Sequence, residues 1–186
     1  MKDRMLDLKQ LTADVCRIAT EVGYFLKEER KNFRRERVVE KHAHDYVSYV
    51  DKESEVRVVK VLTALLPEAG FITEEGSATY QDEPYCWVID PLDGTTNYIH
   101  DEAPYCVSIA LRSRTELLLG VVYEVCRDEC FYAWKGGKAF MNGEEIHVSN
   151  VEDIQDAFVI TELPYNHLQY KQTALHLIDQ LYGVVG

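Results

Sequence analysis

Four short runs of branched and aromatic residues, YCWVI at 85–89, CVSIALR at 106–112, LLLGVVYEV at 117–125 and CFYAW at 130–134, stand in close succession. Each is the length of a strand and carries the side chains that suit a pleated surface, so the central part of the chain predicts a sheet. Gly136-Gly137 and Asn142-Gly143 are hairpin-turn pairs. The strands from 106 to about 148 are therefore expected to form an antiparallel meander. FIT at 71–73 reads as an earlier strand and Ala157 to Thr161 as a later one.

Helical spacing frames this region. Leu8, Leu11, Val15, Ile18, Val22 and Phe25 recur at three- and four-residue steps, predicting a long amphipathic helix from Asp7 to about Glu29. The charged stretch KEERKNFRRER that follows has no apolar period and reads as a solvated helix end or mobile loop. A second helix fits Lys52 to Leu66, with Val58, Leu62 and Leu65 on one face and Pro67 and Gly70 closing it. Asp51, near its start, reads as a helix cap unless a further role emerges. Tyr170 to Tyr182 returns to helical spacing through Ala174, Leu177, Ile178 and Leu181. Two helices, a sheet, then a strand and a helix make an α+β order, with a first domain over 1–150 and the start of an incomplete α/β domain over 151–186.

Composition narrows the function classes. A net charge of -12 argues against nucleic-acid or anionic-membrane surfaces, which need clustered Lys and Arg. An acidic chain that handles an anionic ligand needs a cation between carboxylates and ligand, and a divalent metal supplies one. Five cysteines without a C-x-x-C pair indicate neither a disulfide framework nor a zinc ribbon, and are expected to be reduced and mostly buried. No apolar run approaches the roughly 18 residues that span a bilayer. The expected location is the cytoplasm.

The chemistry concentrates in Asp90-Pro91-Leu92-Asp93-Gly94-Thr95-Thr96-Asn97, directly after the apolar CWVI. Pro91 keeps Asp90 extended, so its carboxylate can point off the end of the sheet. Asp93 adds a second carboxylate, and Gly94 allows a sharp turn and close approach of a ligand. Thr95, Thr96 and Asn97 suit a helix start, where free N–H groups and the positive end of the dipole favour phosphate. Hard oxygen ligands select magnesium, calcium or manganese over zinc, and magnesium is the expected ion. By average residue usage, D-P-x-D-G-T arises by chance roughly once in a few million starting positions.

On these residues the sequence resembles the inositol monophosphatase family, whose signature loop is carried by IDPLDGTTNYIH at 89–100. FITEEGS at 71–77 is similar to the family's Gly-Glu-Glu-Ser element, with Thr73 in place of the usual Gly. KHAHDYVSYVDKESE at 41–55 matches its Lys, Asp and second Asp ahead of a helix. VSIAL, GVVYEV, KGGKAFMNGEEIHVS and AFVITELPY look like successive family strands.

The resemblance implies a layered α/β sandwich, with long N-terminal helices on a largely antiparallel sheet. It also implies magnesium-dependent, lithium-sensitive hydrolysis of small phosphate monoesters, and a homodimer. Position by position, Glu74, Asp90 and the carbonyl of Leu92 would hold a first metal, and Asp90 and Asp93 a second. Thr95, paired with Asp51, would orient and activate the attacking water. The amides of Gly94 and Thr95 would cradle the phosphate, so that Glu74, Leu92, Asp93, Gly94 and Thr95 surround the substrate.

The expected substrate is inositol monophosphate or a related sugar or polyol phosphate. 3'-Phosphoadenosine phosphate, NADP and fructose bisphosphate are alternatives within the superfamily; Thr96-Asn97 favours the inositol branch over the nucleotide-directed one, and the loop leaves fructose bisphosphate open. A truncated, non-catalytic relative serving as a binding module is the alternative outside it. The family's C-terminal Trp-Asp element, with a further metal ligand, is absent from these residues. The sequence thus reads as roughly two thirds of an enzyme, inactive by itself.

Glu75 reads as support for a ligand or as an exposed residue, and Lys41 as a phosphate contact or plain surface. His42 and His44 read as loop residues, His100 as a helix residue rather than a general base. Cys126 and Cys130 read as packing residues on strands.

Overall fold

A computed structural model describes residues 6–33, 39–42, 45–161 and 168–184. Among these are four α-helices and a seven-stranded mixed sheet, and the chain divides into two units. The first unit runs to Ile146, apart from 42–44; the second comprises 42–44 and 147–186.

Helix α1 (Leu8–Lys31) begins where Asp7 accepts the Gln10 amide, 3.0 Å away, and ends with Arg30 and Lys31 at the negative end of its dipole. Its stripe of Leu11, Val15, Ile18, Ala19, Val22 and Leu26 is buried. The charged stretch continues this helix to Lys31 before residues 34–38, which lie outside the described residues. A ribbon of β1 (Val39–His42) and β2 (Asp45–Val47) precedes α2 (Tyr49–Leu65).

Helix α2 starts three residues earlier than its apolar spacing indicates. Ser48 and Asp51 form a reciprocal capping box, which satisfies the first-turn N–H groups and places Asp51 inside the first turn. Val50, Val58 and Leu62 are buried on this helix.

The sheet order is β3 (Ala69–Thr73), β4 (Tyr85–Asp93), β5 (Cys106–Ser113), β6 (Leu117–Glu124), β7 (Glu129–Trp134), β8 (Ala139–Met141) and β9 (Glu144–Glu145). Pairings from β4 to β9 are antiparallel, whereas β3 runs parallel to β4. The turn at Asn142 and Gly143 has positive φ at both residues, 50° and 89°, as a two-residue hairpin requires.

Trp87, Ile89, Val107, Ile109, Leu111, Leu119, Val121 and Tyr123 join the buried residues of α1 and α2 in one core. Full burial of each large apolar side chain contributes roughly 1.5–3 kcal/mol, so this face sets the stability of the layer. Between β4 and the six-residue α3 (Thr95–His100) the backbone turns sharply at Gly94. Tyr98, fully buried, donates to the Leu26 carbonyl at 3.0 Å and fastens α3 to α1.

Four expectations need correction. First, β4 does not end at Asp90 but continues to Asp93: Pro91 has no N–H for the ladder, and the register shifts between Asp90 and Asp93 instead of stopping. Second, Ala157 to Thr161 is not a strand. It pairs with no described neighbour, and Phe158 and Ile160 are each 79% exposed; branched residues make a strand only where a ladder partner exists. Third, Cys126 is not on a strand but exposed in the β6–β7 turn, because β6 stops at Glu124. Fourth, only two of the five thiols are buried, Cys86 and Cys130, while Cys16 and Cys106 are partly covered.

The second unit carries 3-10 turns at Ile154–Asp156 and Leu168–Tyr170 and helix α4 (Lys171–Leu181), none of whose residues is buried. No described helix is long and apolar enough to cross a membrane.

Candidate metal centre

Register brings the first two carboxylates together. Because β3 and β4 run parallel with Thr73 opposite Ile89, the next residue on each strand's path is Glu74 beside Asp90. Both lie toward the same end of the sheet, although 15 residues of sequence lie between them. The bulge that follows lets β4 reach Asp93, paired with Cys106 on β5. The three acids therefore sit along one edge of the sheet's end, Glu74 and Asp93 exposed and Asp90 half-buried.

The next turn brings in α2. Gly94 adopts a left-handed φ of 94°, and a Cβ there would lie 3.0 Å from the Pro104 carbonyl and 3.2 Å from Tyr105. Glycine is thus required both by conformation and by space. Thr95 then opens α3 with its hydroxyl 2.8 Å from Asp51 Oδ1 and 3.1 Å from the Leu92 carbonyl. One hydroxyl proton serves one acceptor well; donated to the nearer Asp51, it leaves Leu92 free to accept elsewhere.

Asp51, 3% exposed, uses its other oxygen to accept from the Ser48 amide at 2.8 Å and the Ser48 hydroxyl at 2.6 Å. It is a helix cap and the partner of Thr95 at once, and the two readings of this residue do not compete.

Electrostatics show the charge this edge must manage. Burial first, then the charge and hydrogen bond of Glu74, then the charge of Asp93, push the Asp90 carboxyl up to about 8, against the Leu92 amide, which donates to it at 3.1 Å. Without a cation these carboxyl groups share a proton. The oxygen donors suit a hard divalent ion, which would replace that proton. Among the described residues no three His, Cys, Asp or Glu side chains form a ready cage. The donors on this edge, the Glu74, Asp90 and Asp93 carboxylates and the Leu92 carbonyl, are the hard oxygens that hard divalent cations take.

A family model for inositol monophosphatases matches residues 7–182. The chain belongs to the inositol monophosphatase family. It is 36% identical over 165 residues to an inositol monophosphatase of Dictyostelium discoideum, covering 87% of this chain and 60% of the relative. It is 31% identical over 167 residues to Nus factor SuhB of Vibrio cholerae, covering 89% and 62%. The crystal structure of the extragenic suppressor protein suhB from Bartonella henselae superposes with a TM-score of 0.86 at 31% identity, over 95% of this chain and 68% of that one. The chain thus spans about three fifths of the length of these curated relatives, and its fold is the layered α/β fold of inositol monophosphatases.

The structure also places the lesser family candidates. Glu75 donates its amide to Glu55, and His100 is exposed at the last position of α3. Lys41 and His42 lie on β1, whose side chains are outside the described residues, as is His44 altogether.

Two neighbours escaped the sequence reading. The Cys106 thiol lies 3.6 Å from Asp93 Oδ2 and is pushed up to about 12 by burial and then by Asp93, so it is a neutral donor rather than a thiolate. Glu55 is fully buried one helical turn beyond Asp51. The i, i+4 spacing of the two acids was a readable sign that they share a face; the register of β5 that brings Cys106 to Asp93 was not.

Proposed function

We propose that this chain carries the metal-binding part of a magnesium-dependent phosphomonoesterase acting on inositol monophosphate or a closely related sugar or polyol phosphate. The observation that carries the reading is the 2.8 Å hydrogen bond from Thr95 to buried Asp51, set beside the Glu74, Asp90 and Asp93 carboxylates. Glu74, Asp90 and the Leu92 carbonyl would hold one ion, and Asp90 and Asp93 a second. When bound, magnesium would lower the pKa of the attacking water and offset charge on the phosphoryl oxygens.

The chain's own groups would do the rest. Asp51 accepts the Thr95 hydrogen bond and so turns the lone pairs of Thr95 Oγ1 outward, where they can align a water and draw on its proton. Asp51 holds its own orientation through Ser48, which keeps the pair in place between turnovers. The left-handed turn at Gly94 leaves the amides of Gly94 and Thr95 unobstructed by a side chain, as a phosphate cradle needs. Lithium sensitivity, a homodimer and a cytoplasmic location belong to the same reading.

The test is phosphate release from inositol 1-phosphate with and without magnesium, by this chain and by one extended to its relatives' length. Magnesium-dependent release is expected from the longer protein, and Thr95→Val should lower its kcat by roughly 100-fold, the scale of losing a positioned proton acceptor. Absence of release across a panel of such esters, NADP, 3'-phosphoadenosine phosphate and fructose bisphosphate included, would remove the reading.

Relatives named Nus factor favour a second reading, a binding module. On that reading Asp93→Asn would leave partner binding unchanged, and calorimetry would detect no magnesium.

A further inference from the structure

Glu55 is 0% exposed, and among the described residues no cation pairs with it. Its carboxylate instead accepts two backbone amides from another element: Glu75 N–H at 2.6 Å and Ser77 N–H at 2.8 Å, on the loop after β3. Burying an ionised carboxylate is costly unless its oxygens are satisfied, and two short charge-assisted bonds are how this one is accommodated. Both bonds fall on one short stretch, the residues that directly follow Glu74.

Further along, the loop is held by the Phe71 N–H on the Thr79 carbonyl at 3.1 Å, by Ala78 against the core and by Arg114 on Asp82, while Glu55 acts on its first residues. The connection from β3 to β4 covers residues 74–84 with no helix, which is short for a parallel crossover. Gly76 within it has a φ of 73° and no atom within 4 Å of where a Cβ would lie, so packing does not hold the loop there. Glu55 lies four residues after Asp51, on the same helix face. One face of α2 therefore grips both sides of the carboxylate edge. Asp51 holds Thr95 after β4, and Glu55 holds the amides immediately after Glu74.

We propose that Glu55 is a positioning residue: by clamping the amides of Glu75 and Ser77, it delivers the Glu74 carboxylate to Asp90 before any metal arrives. This rests on reading Glu74 as a metal ligand. Preorganisation of this kind raises metal affinity because the loop is ordered during folding rather than on binding.

The test uses Glu55→Gln, which keeps shape and one acceptor but turns an NH2 group toward a backbone N–H. Mn2+ alone is the probe, titrated by water-proton relaxation. Binding should weaken 10- to 100-fold. In the same variant, hydrogen exchange at Glu75 and Ser77 should accelerate while Trp87, Ile109 and Val121 in the sheet stay protected. A role in general stability would instead loosen the loop and the sheet together, and that result overturns the proposal. So does wild-type Mn2+ affinity in a variant whose loop amides have been released.

Glu74→Gln is titrated beside it. If that variant binds Mn2+ as the wild type does, the ligand reading of Glu74 has failed; if it loses affinity and Glu55→Gln does not, the clamp has failed. Should Glu55→Gln not fold, the metal-free wild type decides. Protection of the Glu75 and Ser77 amides well above that of the exposed amide of Gly76 supports the clamp, and equal exchange overturns it.

Discussion

Replacing Asp90 with asparagine is expected to stabilise the metal-free chain while lowering its magnesium affinity by at least ~100-fold, since even residues that merely support metal ligands cost 10- to 100-fold when removed. The two effects share one cause. The folded Asp90 carboxyl titrates at about 8, against an ordinary value of 3.8, chiefly through burial and then through Glu74. Between those values the folded chain holds a proton that the unfolded chain has released, so the contribution of this group to stability falls as pH rises from about 4 to about 8. Asparagine cannot ionise and keeps an N–H donor toward Glu74, so it removes the slope. Thermal melts in chelator at pH 5 and pH 8 should diverge for the wild type and lie closer together for Asp90→Asn. At pH 8 the variant should melt higher, by roughly 2–4 °C per kcal/mol of repulsion relieved. Magnesium should reverse the order, because it stabilises only the chain that binds it. If calorimetry finds wild-type magnesium affinity in Asp90→Asn, Asp90 is not a ligand.

Gly23→Leu is expected to destabilise the fold by more than about 3 kcal/mol, the upper range for inserting atoms into a packed core. A Cβ at Gly23 would lie 2.2 Å from Tyr123 Cε1 and 2.5 Å from Cδ1. That ring cannot swing away: Tyr123 is 1% exposed and its hydroxyl is bonded to Asp128. Glycine costs the middle of α1 about 1 kcal/mol relative to alanine, and it is tolerated because helix and sheet approach closely here. Gly23→Ala regains that propensity but meets the same ring, for an expected net loss of about 1–2 kcal/mol. Urea unfolding measures both variants. A Gly23→Ala protein more stable than the wild type would show that Tyr123 yields, and would overturn this account of the contact.

Much of this architecture could be read locally. The stripe of α1 and the meander from Cys106 onward follow from side-chain period and turn chemistry, which depend on neighbours a few residues away. The loop at 90–97 was legible for the same reason. Its acids, glycine and threonines stand in consecutive order, so their chemistry needs no long-range contact to be recognised. Ala157 to Thr161 shows the limit of such reading, since its composition is that of a strand and the ladder partner that would make it one is missing among the described residues.

The sequence by itself determined which groups are available: hard oxygen donors, a turn only glycine can make at 94, and a helix start at Thr95. Only the tertiary structure decided how they meet. The parallel register of β3 on β4 sets Glu74 beside Asp90, and the capped first turns of α2 bring Asp51 to Thr95 and Glu55 to the Glu74 loop. Register and helix placement are fixed by burying Trp87, Ile89 and the α1 and α2 stripes in one core. That energy is summed over many residues distant in sequence, so no local segment contains it.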